Sequence, residues 1–434
     1  MEGGLLYTIL GLVFVLGYIY IATEHKTHIN KSGVAIVVGG ILWLIVALFS
    51  HNKSEISLAL TENGGEIFSI VVFLLSAMTI VEILVHYQLF DWIREKIMKK
   101  KISPNGLFWI LGILTFVMSA FLDNLTTTLI MIQIGRKIYK DKENFLIFVA
   151  NTVIAANAGG AASPIGDVTT IMLWLANKFN AVQVVTIGII PAIVAWIVPQ
   201  YLLGKKIRHH EKAEQADPGF DLVDEKKVQP YWSVILVGLF SFFLPVIFNL
   251  MGLPPFLGLL LGVGVLWVLI DIKAKTGHID HTTGKIVNVI QKTDISTLKF
   301  FIGILLAVGA LSHVGLLKEL NNLIFGPEIN IVRLVTGNVV LGFTSSILDN
   351  VPLVAAAIKM FASGIGPSIW VLLAVTAGTG GSMLVIGSAA GVAAMGQVKE
   401  LNFSYYLKKA TIPALLGYIC AVLVWVGLYS LGLF

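Results

Sequence analysis

The chain has 434 residues, of which 56% are hydrophobic and 13% are charged, and its formal net charge is +5. Soluble domains carry about 25% charged residues, so this composition excludes an ordinary soluble protein. The single cysteine, Cys420, excludes a disulfide framework. The basic residues lie between apolar runs, which is typical of membrane topology and does not indicate a nucleic-acid partner.

Apolar runs of about 18 residues or more recur along the whole chain and predict an all-α polytopic membrane protein surrounded by lipid. The first run is too long for the core of a signal peptide, so we expect it to remain as a span. The predicted spans are 5–22, 33–50, 66–87, 144–179, 181–203, 231–250, 254–272, 298–314, 367–396 and 405–432.

Two more segments, 105–138 and 331–362, have a polar centre between two apolar arms. An arm of about 15 residues does not comfortably cross an apolar core of about 30 Å. Each segment is therefore predicted to be a re-entrant hairpin, which enters the membrane and returns to the same side. Two of the spans, 144–179 and 367–396, contain paired glycines near the middle and are predicted to be broken transmembrane helices.

Basic clusters at 94–101 and 136–142 flank the first hairpin, 105–138, and Lys and Arg favour cytoplasmic loops. Both ends of this hairpin are therefore predicted to be cytoplasmic. Continued along the chain, this topology places 25 of the 30 Lys and Arg residues inside, with both termini external. The predicted cytoplasmic loops are 23–32, 88–104, 136–143, 204–230, 273–299 and 397–410.

Two short motifs of the first half recur in the second half. SAFLDNLTTTLI at 119–130 returns as SSILDNVPLVAA at 345–356, and NAGGAASPIGD at 157–167 returns as GTGGSMLVIGS at 378–388. The predicted topology gives the two copies opposite orientations. We therefore expect an inverted-topology repeat, in which transporters place their site near the membrane midplane. Its predicted parts are the repeat 1–203, a cytoplasmic linker at 204–230 and the repeat 231–434.

Asp123 and Asp349 lie at the predicted tips of the two hairpins. A charged side chain at membrane depth costs about 3 kcal/mol, so it needs a partner or a function. Asn124, Thr127 and Asn350 add amide and hydroxyl oxygens, and oxygen ligands suit a hard cation such as Na+. The alternative is that Asp and Asn only cap helices at these tips.

The paired glycines predict unwound backbone, whose carbonyl groups and helix ends can bind ions. The alternative is close helix packing through small residues. The first break has a carboxylate at Asp167, whereas the corresponding residue of the second break is Ser388. The predicted site residues at the two breaks are Asn157, Ser163, Asp167, Thr376, Thr379 and Ser382.

Glu82 and His86 share one helix face near the cytoplasmic end of a span, and His313 ends another span. Histidine titrates near neutral pH, so these residues are candidates for a proton relay or for pH sensing. The alternatives are that Glu82 extends to the membrane surface and that the histidines are structural. The sequence shows no phosphate loop, nucleotide fingerprint or catalytic triad, and it predicts neither a cofactor nor an enzyme activity.

The motifs SAFLDNLTT, NAGGAASPIGDVTTIMLW and MTIVE resemble those of the NhaD-type sodium/proton antiporters of the ion transporter superfamily, and the resemblance covers nearly the whole chain. It implies a transport domain of hairpins and broken helices, a dimerising scaffold, and exchange of Na+ or Li+ for H+. It also implies an elevator-like homodimer in a bacterial inner membrane. The matching motif residues are Asp123, Asn124, Asn157, Ser163, Asp167, Asp349 and Asn350.

Other functions stay open on the sequence. Sodium-coupled di- and tricarboxylate carriers of the same superfamily have neutral hairpin tips, whereas two anionic tips repel an organic anion and favour antiport. An arsenite-type anion transporter is a further alternative. Outside transport, the chain would be a membrane-embedded enzyme or a structural scaffold, for which the sequence offers no nucleophile–base pair and no metal-ligand cluster.

Overall fold

The computed structural model describes residues 2–50, 52–100, 102–208, 229–276, 293–324, 330–361 and 364–434. This part of the chain is helical and contains no β-strand, as the sequence predicted. Its helices are α1 (Glu2–Ala22), α2 (Glu24–Thr27), α3 (Lys31–Phe49), α4 (Lys53–His86), α5 (Leu89–Met98), α6 (Pro104–Ser119), α7 (Asn124–Ile138), α8 (Lys142–Ala161), α9 (Val168–Leu175), α10 (Ala181–Gly204), α11 (Trp232–Ser241), α12 (Leu244–Leu250), α13 (Pro255–Lys275), α14 (Ile295–His313), α15 (Leu316–Ile324), α16 (Ile331–Ser345), α17 (Asn350–Met360), α18 (Pro367–Gly380), α19 (Ala389–Gln397), α20 (Phe403–Lys409) and α21 (Thr411–Ser430).

Nine stretches of the described chain are long and apolar enough to cross a membrane, which confirms a polytopic membrane protein. They coincide with nine of the ten predicted spans. The tenth, 367–396, consists of α18, with 14 residues, and α19, with 9 residues. Neither piece alone has the length of about 20 residues that a span requires.

Three predicted spans differ from the helices in the structure, one in where it begins and two in being divided. Helix α4 begins at Lys53, upstream of the predicted start at 66, because a polar segment continues the apolar helix. The predicted span 231–250 is divided into α11 and α12, and Pro245 lies in the first turn of α12, where a missing N–H is tolerated. The predicted span 405–432 is divided between α20 and α21. Most of the predicted linker, 209–228, lies outside the described residues.

Side-chain caps fix the start of several helices. Asp141 accepts a hydrogen bond from the Asn144 amide, at 2.8 Å, at the start of α8. Asn180 and Gln183 form a reciprocal capping box at the start of α10. Such caps satisfy backbone N–H groups that have no partner within the helix. The boundaries of these helices therefore follow from local sequence as well as from hydropathy.

The described chain forms two compact units, and each combines parts of both halves of the sequence. The first unit comprises Met1–His86, Trp232–Arg333 and Val354–Gly364. The second unit comprises Tyr87–Tyr231, Leu334–Leu353 and Ile365–Phe434. The second unit therefore contains the tips of both hairpins and both broken helices, which the sequence assigned to a common site.

In the first unit, α14 packs along α3 at very short range. A Cβ atom placed on Gly303 would lie 2.4 Å from the backbone of Ile36, so only glycine allows this approach. The Trp43 indole N–H donates to the Leu306 carbonyl oxygen at 2.9 Å. In the second unit, α10 and α21 approach each other in the same way, since a Cβ atom on Gly417 would lie 2.4 Å from the Ala195 carbonyl oxygen.

Candidate cation site

Two helix breaks form the framework of the candidate site in the second unit. The first break, 162–167, separates α8 from α9, and the second break, 381–388, separates α18 from α19. Asp167 caps α9 with φ −143° and ψ 146°. Ser388 caps α19 with φ −142° and ψ 153°. The same backbone conformation therefore positions a carboxylate at one break and a hydroxyl at the other.

In each repeat, a serine of the hairpin donates a hydrogen bond to the backbone of the broken helix. The Ser119 hydroxyl donates to the Ala156 carbonyl oxygen at 2.6 Å, and the Ser345 hydroxyl donates to the Ala377 carbonyl oxygen at 2.7 Å. The repeat in the sequence therefore extends to equivalent contacts in the structure.

The matching glycines of the two repeats make the closest approaches. A Cβ atom on Gly159 would lie 2.1 Å from the Phe116 carbonyl oxygen. A Cβ atom on Gly380 would lie 2.1 Å from the Gly342 carbonyl oxygen. Both distances are far below van der Waals contact. At these two positions the backbone of the hairpin occupies the place of a side chain.

Asp167 lies at the centre of the polar network, and its side chain is almost fully buried, with 1% exposure. Asn124 at the first hairpin tip donates to Asp167 Oδ2 at 2.8 Å. Asn350 at the second hairpin tip donates to the same oxygen at 3.3 Å. Thr169 donates to Oδ1 through both its backbone N–H and its hydroxyl, each at 2.8 Å. Both hairpins therefore converge on one carboxylate.

Among the described residues, Asp167 forms no ion pair with a Lys or Arg side chain. Within the described chain, the hydrogen bonds that it accepts come from neutral N–H and O–H donors. A buried carboxylate needs compensation of its charge, and hydrogen bonds from neutral donors supply only part of it. A bound cation or a proton would complete the compensation.

Asn157 connects the two breaks. Its side-chain oxygen accepts from Asn124 at 3.0 Å, and its amide nitrogen donates to the hydroxyls of Ser382 and Ser388, each at 2.9 Å. The Asn157 side chain is fully buried. The structure brings together five of the predicted site residues, Asn124, Asn157, Asp167, Asn350 and Ser382.

The two tip aspartates lie at the edge of this network. Asp123 caps α7 and accepts from the Thr126 N–H at 2.9 Å and from the Thr126 hydroxyl at 2.5 Å. Asp349 accepts from the Val351 N–H at 3.2 Å. Both side chains are half-buried, and both participate in the capping that the sequence offered as an alternative. A role in ion binding for either aspartate stays a prediction.

Three further predicted residues, Ser163, Thr376 and Thr379, donate their hydroxyl groups to backbone carbonyl oxygens. Ser163 donates to the Ala120 carbonyl oxygen and accepts from the Ile165 N–H at 3.2 Å, which attaches the first break to the first hairpin. Thr376 donates to the Leu372 carbonyl oxygen at 2.9 Å, and Thr379 donates to Val375 at 2.6 Å. Such bonds one turn back along a helix leave the hydroxyl lone pairs available.

Sequence reasoning missed Thr169, which makes two hydrogen bonds to Asp167. A signal was present, because Asp followed by hydroxyl residues at the start of an apolar run is typical of a helix N-terminus. It also missed Tyr406, whose hydroxyl donates to the Ser382 carbonyl oxygen at 2.7 Å. No motif in the sequence pointed to this distant tyrosine.

Thr127 has a fully buried hydroxyl with no hydrogen-bond partner among the described residues. It lies on α7, one turn after Asp123 and three residues after Asn124. If the hydroxyl is a cation ligand, Thr127→Val should raise the Na+ concentration for half-maximal exchange about tenfold, which corresponds to about 1.4 kcal/mol. Thr127→Ser keeps a hydroxyl and should return this concentration to the wild-type value.

Thr152 provides a matched control for this experiment, since its hydroxyl is also fully buried and unpartnered among the described residues. It lies on α8, five residues before Asn157. Thr152→Val should leave the Na+ dependence unchanged. Equal effects of the two valine variants on Na+ dependence would argue against a specific role of Thr127.

Glu82, His86 and His313 all belong to the first unit, whereas the network around Asp167 belongs to the second. The ring of His313 lies 5.7 Å from the ring of Trp43. Glu82 and His86 lie on the last two turns of α4 and are half-buried. Their role as a proton relay or in pH sensing stays a prediction.

The chain is similar to known transporters over nearly its full length. A family model described as "Citrate transporter" matches residues 18–378. Sodium/proton antiporter 1 of Arabidopsis thaliana is 37% identical over 426 residues, which are 97% of this chain and 72% of that protein. Sodium/proton antiporter 2 of the same plant is 34% identical over 428 residues, which are 98% of this chain and 100% of that protein.

A bacterial relative has a similar degree of identity. The Na+/H+ antiporter NhaD of Alkalimonas amylolytica is 30% identical over 443 residues, which are 95% of this chain and 88% of that protein. These alignments cover 95–98% of this chain. The chain therefore belongs to the NhaD-type sodium/proton antiporters, within the family whose model is described as a citrate transporter.

Proposed function

We propose that this chain exchanges Na+ or Li+ for H+ across a membrane, and that the Asp167 carboxylate is the group for which both ions compete. One observation carries the proposal. Asp167 is buried without an ion pair among the described residues, and side chains from both hairpins surround it. The relatives that are named sodium/proton antiporters support the same reaction.

Competition at one carboxylate is sufficient to couple the two ions. A bound Na+ neutralises the carboxylate and removes the need for a proton, whereas a bound proton removes the charge that holds Na+. Asn124 and Asn350 now present N–H groups to Asp167. Rotation about the Cβ–Cγ bond would present their oxygens instead, as a cation requires.

Transport of an organic anion is the second candidate, and the description of the family model favours it. The geometry supports it less well. The centre of the network is a carboxylate, and the two tips add Asp123 and Asp349, so a di- or tricarboxylate would meet charges of its own sign. Like charges brought together in a buried site cost several kcal/mol, so antiport of cations fits the site better.

Proteoliposomes test the proposal directly. Purified protein is reconstituted with an imposed pH gradient, and a pH-sensitive dye follows its dissipation after addition of NaCl, LiCl or KCl. We expect dissipation with Na+ or Li+ and none with K+. Succinate and citrate, each added as the K+ salt, serve as controls. Uptake of labelled citrate without dissipation by Na+ would favour the anion carrier.

Alternating access requires part of the molecule to expose the site to each side in turn. We propose that the two hairpins are re-entrant, that the repeats 1–203 and 231–434 have opposite orientations, and that the second unit carries the ions in an elevator-like movement. The matching contacts of the two breaks support the repeat. In this scheme the first unit is the scaffold and provides the contact of a homodimer.

The scheme predicts that elements within the second unit keep their contacts during transport. Arg136 at the end of α7 donates to the Gln397 carbonyl oxygen at the end of α19. Cysteines introduced at both positions, in a Cys420→Ser background, can be joined by a bis-methanethiosulfonate cross-linker that spans the length of the arginine side chain. The cross-linked protein should keep more than about half of the exchange rate of the reduced protein. Each single-cysteine variant is the control. Complete loss of exchange that a reductant reverses would show that the first hairpin moves relative to the second break.

The proposed topology has both ends of the first hairpin in the cytoplasm and both termini outside. Single cysteines at Lys100 and Lys140, again in the Cys420→Ser background, should react with a membrane-impermeant maleimide only in inside-out vesicles. A cysteine at Ser50, which follows α3, should react from the outside and serves as the matched control. Labelling of Lys100 and Lys140 from opposite sides would make the hairpin a simple span.

A further inference from the structure

The last residues of the two breaks have nearly the same backbone dihedral angles, but one side chain is a carboxylate and the other is a hydroxyl. Asp167 and Ser388 cap their helices with nearly equal φ and ψ, and the glycines and serines around them make matching contacts. A symmetric protein would hold one cation at each break. Two of the positions at which the repeats differ bear on the charge at the second break: Asp167 has Ser388 as its counterpart, and Asn157 has Gly378.

Hydrogen bonding determines which atom of Asn157 faces which break. The Asp167 carboxylate accepts hydrogen bonds, so the Asn124 atom 2.8 Å from it is the amide nitrogen. The same nitrogen lies 3.0 Å from Asn157, which must present its oxygen there. The amide nitrogen of Asn157 therefore faces the second break, where it donates to Ser382 and Ser388 at 2.9 Å.

This arrangement occupies the hydroxyls that a cation at the second break would need. The Ser388 hydroxyl also accepts from the Gly391 N–H at 3.2 Å, so both of its lone pairs have donors. The N–H2 group of Asn157 carries partial positive charge and repels a cation. Asn350 follows Asp349 at the second hairpin tip, but its side-chain amide donates to Asp167 at the first break.

We propose that each protomer binds a single cation, at Asp167, and that the Asn157 N–H2 group takes the place of a cation at the second break. Asn157 is a positioning residue in this account, since it orients Asn124 toward Asp167 and holds Ser382 and Ser388. The inference rests on the proposed exchange of Na+ for H+ and adds its cation stoichiometry.

Binding of 22Na+ at equilibrium to the purified protein tests the inference. At a pH where exchange is active, the wild type should bind one Na+ per protomer with a Hill coefficient near one. Two Na+ per protomer, in protein that exchanges Na+ for H+, would overturn the inference and leave the proposed function intact. Absence of both binding and exchange would overturn the proposed function and the inference with it.

A double variant tests the role of Asn157 itself. Asn157→Ala with Ser388→Asp removes the amide and gives the second break the carboxylate of the first, so it should bind two Na+ per protomer. Asn157→Ala with Ser388→Ala is the matched control. At saturating Na+ it should bind one, with a higher Kd than the wild type, because Asn124 loses the oxygen that orients it toward Asp167. A single Na+ in both, each folded as judged by size-exclusion chromatography, would show that Asn157 does not exclude the second cation. The count for the wild type decides the stoichiometry even if a variant fails to fold.

Discussion

Replacing Asp167 by asparagine is expected to reduce Na+-dependent exchange at least about 100-fold, which corresponds to about 2.7 kcal/mol. The amide can neither bind a proton at neutral pH nor neutralise a cation. The fold should survive, because asparagine caps a helix as well as aspartate does and retains an oxygen for the Thr169 N–H. Dissipation of a pH gradient by Na+ in proteoliposomes measures the loss.

Asp141→Asn is the matched control for this variant. Asp141 is also buried in the second unit, with 3% exposure, and caps α8 as Asp167 caps α9. It pairs with Arg208 at 3.5 Å and lies at the opposite end of α8 from the first break. Its replacement should leave exchange within about twofold of the wild type. Exchange by Asp167→Asn at the wild-type rate would remove Asp167 from the mechanism.

Asp123→Asn separates the two interpretations of the site. The sequence placed Asp123 and Asp349 at the tips of the two hairpins as candidate cation ligands. The structure shows Asp123 as a half-buried cap bound to Thr126. Loss of exchange in both aspartate variants would indicate that the cation uses both carboxylates, whereas loss in Asp167→Asn alone would confine binding to the first break.

Gly159→Ala and Gly380→Ala are expected to have the second large effect, on folding as well as on exchange. In each case the new methyl group would overlap a backbone carbonyl oxygen at 2.1 Å, and backbone cannot move aside as a flexible side chain can. Overpacking typically costs about 1–3 kcal/mol, and an overlap with fixed backbone belongs at the upper end of that range. We expect lower thermal stability in detergent and a severe loss of exchange from both variants.

Gly396→Ala is the control for the two glycine variants. Gly396 lies on α19 in the same unit, and apart from the adjoining backbone of its own helix no described atom lies within 4 Å of a Cβ placed there. Alanine in an open helical position stabilises a helix by about 0.5–1 kcal/mol, so this variant should be at least as stable as the wild type. Normal stability of Gly159→Ala or Gly380→Ala would mean that the hairpins do not approach the broken helices as closely as described.

Much of the architecture could be predicted because membrane spans and glycine breaks leave strong local signals. The break residues and hairpin arms in the structure match the segments that the sequence indicated. The start of α4 could not be predicted from hydropathy, because 53–65 is a helical extension with many polar residues. Hydropathy detects the apolar part of such a helix and not its polar continuation.

The centre of the site was harder to predict than its members. Asp123, Asp167 and Asp349 all had suitable surroundings in the sequence, and spacing along the chain does not reveal which carboxylate the amides reach. The choice depends on how the second hairpin packs against the first break, which brings Asn350 to Asp167, 183 residues away in sequence. The pairing of Asn157 with Ser382 and Ser388 is a long-range contact of the same kind.

The division into two units has a mechanical consequence for the covalent chain. The backbone passes from one unit to the other five times, after His86, Tyr231, Arg333, Leu353 and Gly364. Gly364, at the last of these passages, has a φ of 99°, which glycine adopts far more readily than other residues. Gln88, near the first, also has a positive φ, of 65°.

Two of the five passages interrupt helices, because Arg333 lies in α16 and Leu353 lies in α17. Both arms of the second hairpin are thus tethered to the first unit, and Lys359 adds an ion pair with Glu66 there, at 2.7 Å. The first hairpin has no such tether, since α6 and α7 belong entirely to the second unit. A displacement of the second unit would therefore strain the second hairpin and leave the first one unstrained, so the two hairpins would resist such a movement unequally.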